Sequence, residues 1–476
     1  MKRLNIDKRC IPLVSLLFSV IVLAVAWYVS YPYFLRWLEG FSFFTNLPDF
    51  VQIHYHLPED ILKYAGAFLL QFYKYPLLGA IIQAVISVLF VSLVWSCIRR
   101  IFAEPEHQLW LAFIPLPLFV HYQLSDLTLA RSLAWMLCPA LLLLVLMTIR
   151  LKPFFRVPKF LSGTALSAVM SVVFLLSSSA LLVKGNDLTR GYEEVARLEY
   201  LGENQRWEEI LRTVSVQESQ VNEYQRRYAL LALLNTGKLA DHAFAYGLSG
   251  ADDFLFNDVQ EPFCLGFNIL FYKSLGMANP AIYQTYQRAV QSAPGISFNT
   301  VSFLADCYLE TGDYTLARKY LDLLSHSTCH RGWVKSRLPK LQKLAGRSPS
   351  YSQTGSKFYL DSFLADISSM YDRYPHDRRF ADLLLLCGVL AQKDGAAFYR
   401  IYEVVSKYLY PDGKGVPGLY QEALLLVASK HPEILARHKI DESVWKRFAD
   451  FTELMQQGKS AQAKRKYSGT YWAYVY

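Results

Sequence analysis

The first 185 residues hold runs of apolar sequence that constrain the chain more than any other feature. About 18 consecutive apolar residues suffice for a helix to cross the ~30 Å hydrocarbon core of a bilayer. In that medium the backbone must satisfy its own hydrogen bonds, so helices are the form such runs take in a chain of this kind. The runs lie at 11–33, 76–97, 132–149 and 160–183, and a weaker one at 109–124 is interrupted by Pro115 and Pro117. Asp, Glu, Lys and Arg number 22 in residues 1–183 and 67 in residues 184–476. The chain therefore reads as a membrane domain over 1–185 followed by a water-soluble part large enough to bury a core of its own.

Charge orients the spans. The net charge of +9 divides into +6 for the membrane part and +3 for the remainder. That places the excess in loops and argues against a nucleic-acid partner. Lys2, Arg3, Lys8 and Arg9 precede the first run, which is too long for a signal peptide and has no small-residue cleavage site after it. It reads as an uncleaved anchor. With the N-terminus inside, 10 of the 14 basic residues of this part fall on the inner side, provided that 109–124 crosses. The positive-inside bias thus favours five spans, with residues 184–476 on the side opposite the N-terminus. Between the first two spans, the aromatics Phe34, Trp37, Phe41, Phe43, Phe44, Phe50 and Tyr55 suggest an interfacial loop, and 61–75 an amphipathic helix lying along the membrane.

Beyond residue 186 the pattern is helical, and a repeat is visible. In SFNTVSFLADCYLETGDYTLARKYLDLLS, residues 297–325, Leu304, Ala305 and Tyr308 form one stripe. Gly312 makes a turn, and Tyr314 and Ala317 open a second helix. The small Ala305 and Ala317 let two helices approach, and glycine supplies the backbone conformation of a tight turn. This copy resembles a tetratricopeptide repeat. Weaker copies align Gln205, Gly237, Gly276, Gly395 and Gly458 with that turn, and the first spacings are 32, 39 and 36 residues. The repeat period is about 34. The expected fold is all-α: a helical membrane bundle of about five spans, then a degenerate tetratricopeptide-like α-solenoid. Its first lobe is 186–345, a loop follows at 346–357, and its second lobe, 358–476, ends in the aromatic cap GTYWAYVY.

Candidate chemistry is sparse. Glu39 and Asp49 follow the first span, where a carboxylate could act as a base or hold a metal ion in an enzyme using a lipid-linked sugar. His54 and His56 read as an ordinary polar loop, since a metal site needs three or four ligands. Arg131, near Asp126, reads as a snorkelling cation. The adjacent Cys329 and His330 have nothing to orient them as a nucleophile and base. Gly163 and Ser167 read as a packing pair. The seven cysteines form no CxxC, which argues against zinc ribbons and dithiol redox chemistry. No GxSxG, HExxH or phosphate-binding loop occurs. No catalytic, metal or cofactor site is assigned.

The segment LPEDILKYAGAFLLQFYKYPLLGA, residues 57–80, and the GTYW terminus from Gly469 resemble an uncharacterised family of bacterial membrane proteins of the Bacteroides type. The resemblance implies a bacterial inner membrane, a cytoplasmic N-terminus and a periplasmic C-terminal domain. The expected role is a membrane-anchored interaction protein whose repeat domain meets a protein or peptide. The alternative is the lipid-linked-sugar enzyme with Glu39 and Asp49 as its acids.

Overall fold

A computed structural model describes residues 11–102, 107–149, 163–256, 262–291, 296–346 and 363–476. Its described elements are all helices, with no strand among them. The basic segments 1–10 and 150–159, and the expected loop beyond Gly346, lie outside the described residues. The chain forms two compact units. One comprises the described residues of Met1–Arg197, Pro294–Leu309 and Tyr314–Ala345; the other those of Leu198–Ala293, Glu310–Asp313 and Gly346–Tyr476. This division differs from the expected boundaries, because the described residues of 294–309 and 314–345 return to the first unit and those of 198–293 fold with 363–476.

In the first unit, four helices are long and apolar enough to cross a membrane: Ile11–Ser30, Pro76–Ile101, Ala130–Ile149 and Thr164–Lys184. The first stops short of the expected residue 33 because Pro32 cannot donate and disfavours helical backbone at the residue before it. Tyr31 leaves the helical region, and a second helix starts as Pro32–Gly40. The Glu193 carboxylate accepts the free N–H groups of Phe34 and Tyr33, at 2.6 and 3.3 Å, and so caps that helix.

The fifth expected span is short and broken. Residues 109–124 form Trp110–Phe113 and Leu116–Leu124, broken at Pro115. At about 1.5 Å of rise per residue this pair falls short of the ~30 Å hydrocarbon thickness. It packs against three of the long helices, with Ala112, Phe113, Leu116, Phe119 and Val120 buried and Ile114, Leu118 and Tyr122 exposed.

The segment between the first two long helices is largely helical, and most of its aromatics are turned inward. Phe34, Trp37, Phe41, Phe43 and Phe44 are buried, and Phe34 stacks on Trp37 and Tyr192 at 6.1 Å in each case. A further helix spans Pro48–His54. The expected surface helix 61–75 is Ile61–Leu70 and a 3₁₀ turn Gln71–Lys74. It is wedged inward on one side, where a side chain at Gly66 would meet the Thr128 carbonyl at 2.2 Å.

Polar side chains missed in the sequence line the interior of this unit. Ser87 donates to Gln123 Oε1 at 2.7 Å, and Gln123 Nε2 donates to Gln83 Oε1 at 3.0 Å, all three buried. Such bonds hold apolar helices together where no hydrophobic force between them exists. The i, i+4 spacing of Gln83 and Ser87 inside an apolar helix was the available signal.

In the helical region beyond residue 186, pairs of helices meet at turns with left-handed backbone. The turn residues Gln205, Gly237, Gly276, Gly312, Lys393 and Gly458 have φ of 56°, 71°, 74°, 82°, 60° and 75°. Five are those expected from the repeat alignment. In the fifth pair the turn falls on Lys393 rather than Gly395, which instead opens the next helix behind the capping Asp394. Gly276 shows why glycine recurs here: an added Cβ would meet nothing within 4 Å, so the constraint is backbone conformation and not space.

Candidate functional site

The second unit contains an open cleft of about 360 Å³, built where the C-terminal aromatic segment returns to the last helices. Its walls come from the short helix Leu239–His242, the start of the helix Gly418–Ala428, Arg447 on the helix Glu442–Gln456, and the turn Ser468–Thr470. The volume lies within the range of about 300–1,000 Å³ common for small-ligand sites, but such sites are mostly apolar and this one is lined by polar groups.

The GTYW sequence shapes it. Gly469 has φ of 92°, and an added Cβ would come within 3.2 Å of the Ala245 Cβ. Thr470 caps the terminal helix Tyr471–Val475 by accepting the Ala473 N–H. Trp472 is fully buried and donates its indole N–H to the Glu422 carbonyl at 3.0 Å. Tyr471 and Tyr474 donate to the carbonyls of Leu390 and Ala391, at 3.3 and 2.7 Å. Those carbonyls lie at the end of a π-helical turn, Leu386–Leu390, whose altered bonding needs outside partners.

The charged groups are arranged in two layers. At the cleft wall, Glu422 Oε2 accepts the Tyr471 N–H at 2.8 Å, and Glu422 Oε1 lies 3.3 Å from Arg447 Nη2. Burial pushes the Glu422 carboxyl up to about 7 against the opposing pull of the Tyr471 N–H and Arg447. Behind it, the buried Asp382 accepts from the Tyr420 hydroxyl at 2.6 Å and from Arg378 Nε at 3.2 Å. Burial raises its carboxyl to about 6 despite the Arg378 charge.

A carboxyl raised on folding holds its proton in the native state over a range where the unfolded chain has lost it. Its stabilising contribution is complete below the unfolded value, near pH 4, and is lost as pH rises through the native value. The unfolding midpoint is therefore expected to fall between about pH 4 and pH 7 and to level off above, and Glu422→Gln to flatten part of that fall. Differential scanning fluorimetry of detergent-solubilised protein checks both; a midpoint rising over this interval contradicts the assignment.

The residues singled out in the sequence are scattered. Glu39 is buried in the first unit, its Oε1 2.8 Å from His330 Nε2. This is an ion pair by distance; neither Glu39 Oε1 nor His330 Nδ1 has a hydrogen bond among the described residues. Phe298 stacks on the His330 ring at 3.5 Å. Asp49 is exposed in the first turn of Pro48–His54, so the two carboxylates sit in unlike surroundings. Cys329 is half-buried, with its backbone N–H on Gln71 Oε1 at 3.1 Å. Burial and Glu39 push its thiol up, Lys74 opposing, which disfavours the thiolate a nucleophile needs.

Asp126 bonds to the Ser132 N–H and hydroxyl at 2.7 and 2.8 Å, while Arg131 is exposed. His54 stacks on Phe50 at 4.1 Å, and the His56 N–H donates to Asp60. Ser167 is buried and its N–H bonds to the Gly163 carbonyl. No cluster of three possible metal ligands occurs among the described residues. Of the repeat residues, Leu304, Ala305, Tyr308 and Ala317 are buried and Tyr314 is half-buried. Tyr308 stacks on Tyr320 at 5.8 Å, a partner not foreseen.

Comparison with known proteins finds a family model that matches residues 8–186 and 188–476 and is described as a family of unknown function. No curated protein and no solved structure matches the chain.

Proposed function

We take as premise that this chain belongs to DUF6057, a family of unknown function, and propose that it is a membrane-anchored interaction protein whose helical repeats and C-terminal cleft receive a protein or peptide. The observation that carries this reading is the series of helix–turn–helix pairs with left-handed turns, which follows four helices long enough to span a bilayer. Stacked helical pairs of tetratricopeptide type bind by surface, and no single contact residue follows from the repeat itself. The enzyme alternative gains no support, since Glu39 is buried against His330 and Asp49 is a solvated surface acid.

Crosslinking and affinity purification from native membranes test the role. A stoichiometric protein partner is expected; copurifying polyprenyl lipid without protein would favour the enzyme.

The proposed setting is a bacterial inner membrane, with the N-terminus cytoplasmic and the C-terminal part periplasmic. Its support is charge: 10 of 14 basic residues share one side when residues 109–124 cross. Four crossings would instead put residues 1–10 and 150–159, both basic, on opposite sides. Local thinning of the bilayer at modest cost lets a short apolar segment cross. Alkaline phosphatase fused after Tyr476 is therefore expected to be active. An inactive phosphatase, with a fluorescent cytoplasmic reporter at the same point, would mean four crossings.

A further inference from the structure

We propose that the cleft of the second unit binds a carboxylate end group, from a peptide C-terminus or a small organic acid, and that Arg447 is its principal contact. The inference deepens the interaction reading and rests on it for the peptide source only.

The polar walls favour a polar guest. Asp241, His242, Arg447 and Ser468 are exposed there, and Glu422 and Thr470 are buried behind them. Of the two acids, Glu422 is already engaged and Asp241 is exposed. Both oxygens of Glu422 have partners in Tyr471 and Arg447. The charge of Asp241 acts on Arg378, which it helps to hold in its charged form.

The cation has capacity to spare. A guanidinium carries five N–H donors in a planar fork. Glu422 approaches one Arg447 nitrogen, at 3.3 Å, and Trp472 lies under the guanidinium at 5.9 Å. About half of the Arg447 side chain is exposed (44%), so its remaining donors are accessible to a ligand. Fork-to-fork pairing with a carboxylate is the geometry a guanidinium recognises best. Gly418 and Leu419, first residues of an eleven-residue helix, line the same wall. The positive end of that helix adds to the field.

A guest carboxylate must share Arg447 with Glu422, so binding is easiest when Glu422 is protonated. Glu422 faces Arg447 from the helix Glu442–Gln456 and the Tyr471 N–H from the terminal helix. Asp241 and His242 come from Leu239–His242, which packs on the same helix as Glu422. The other neighbours of that helix are Gly395–Leu409, which meets it through Tyr402 against Tyr420, and Pro432–Ala436, whose Glu433 pairs with His431. With the Glu422 carboxyl near 7, taking up one proton makes the affinity about tenfold higher at pH 6 than at pH 8.

The test is isothermal titration of the full chain in detergent with N-acetyl-trialanine, its C-terminal amide, and acetate. The expected result is binding of the acid and at least a tenfold loss for the amide. Arg447→Gln should lose as much while still unfolding cooperatively, and Arg447→Lys should recover part of it. Glu422→Gln should bind with little pH dependence, while His242→Gln keeps the dependence. Tight binding of the peptide acid with weak acetate identifies a peptide terminus as the source; equal binding identifies a small acid and leaves the peptide reading to the crosslinking experiment. Equal affinity for acid and amide, wild-type affinity in Arg447→Gln, absence of binding by all three probes, or a pH dependence lost in His242→Gln and kept in Glu422→Gln would overturn the proposal. A protein partner retained by Arg447→Gln in membranes would then show that the interaction reading survives without this site.

Discussion

Trp472→Ala is expected to produce the largest loss of stability of any single substitution in the second unit, about 3–5 kcal/mol. Trp472 is fully buried, four residues from the C-terminus, where chains commonly fray. Its ring lies 5.0 Å from Phe448 and 6.0 Å from Phe451, and its indole N–H is bonded to Glu422. Truncation removes that packing and leaves a void between the helix Glu442–Gln456 and the terminal helix. Limited proteolysis should show the C-terminal segment cut first, and the Glu422–Arg447 wall of the cleft should lose its backing. A variant as protease-resistant as the wild type would mean that the terminal helix is not part of the folded unit. Trp472→Phe keeps most of the volume and should cost less than half as much.

His330→Ala is expected to be nearly as damaging in the first unit, at about 3–5 kcal/mol, because it strands the buried Glu39 carboxylate. His330 is 2% exposed and holds Glu39 on one side and the Phe298 ring on the other. The double variant with Glu39→Ala should cost less than the sum of the singles, since it removes the stranded charge as well. Asp49→Ala should fall within about 0.5 kcal/mol of the wild type, as surface substitutions do. Thermal unfolding of the wild type and the four variants measures all of this. Strict additivity would show that the 2.8 Å contact carries no coupling. The comparison also guards a functional experiment: loss of activity in Glu39→Ala alone would report damage to packing as readily as damage to chemistry.

Most of the helices were legible in the sequence, and most of the long-range partners were not. The apolar runs and the turn residues follow local rules: length against bilayer thickness, and left-handed backbone after a helical stripe. Gln205, Gly237, Gly276, Gly312 and Gly458, aligned as turn residues in the sequence, have left-handed backbone. The exception is Lys393 for Gly395, which opens the next helix behind the capping Asp394.

The short helices at Trp110–Leu124 show a related effect. Hydropathy records that a segment is apolar and not which of its sides meets its neighbours; here Ala112, Phe113, Leu116, Phe119 and Val120 do, and Ile114, Leu118 and Tyr122 are exposed. The aromatics after the first span were misassigned on the same ground, since Phe34 and Trp37 suit an interface and a core equally well. The cleft was out of reach altogether. Its walls are drawn from residues 241, 418, 447 and 469, and nothing in one sequence brings such distant positions together. The GTYW ending was distinctive as a string, but its role in shaping a wall appears only once Gly469 is seen against Ala245.

The alternation of the chain between its two units bears on how it is synthesised. The first unit takes in the described residues of Met1–Arg197 and is completed by those of Pro294–Ala345. During vectorial synthesis its apolar helices emerge about a hundred residues before the segment carrying Phe298 and His330. At roughly 5–20 residues per second, that interval lasts on the order of 5–20 s. Until it ends, Glu39 waits without its buried partner His330, and the nascent chain is at its most dependent on insertion machinery and chaperones.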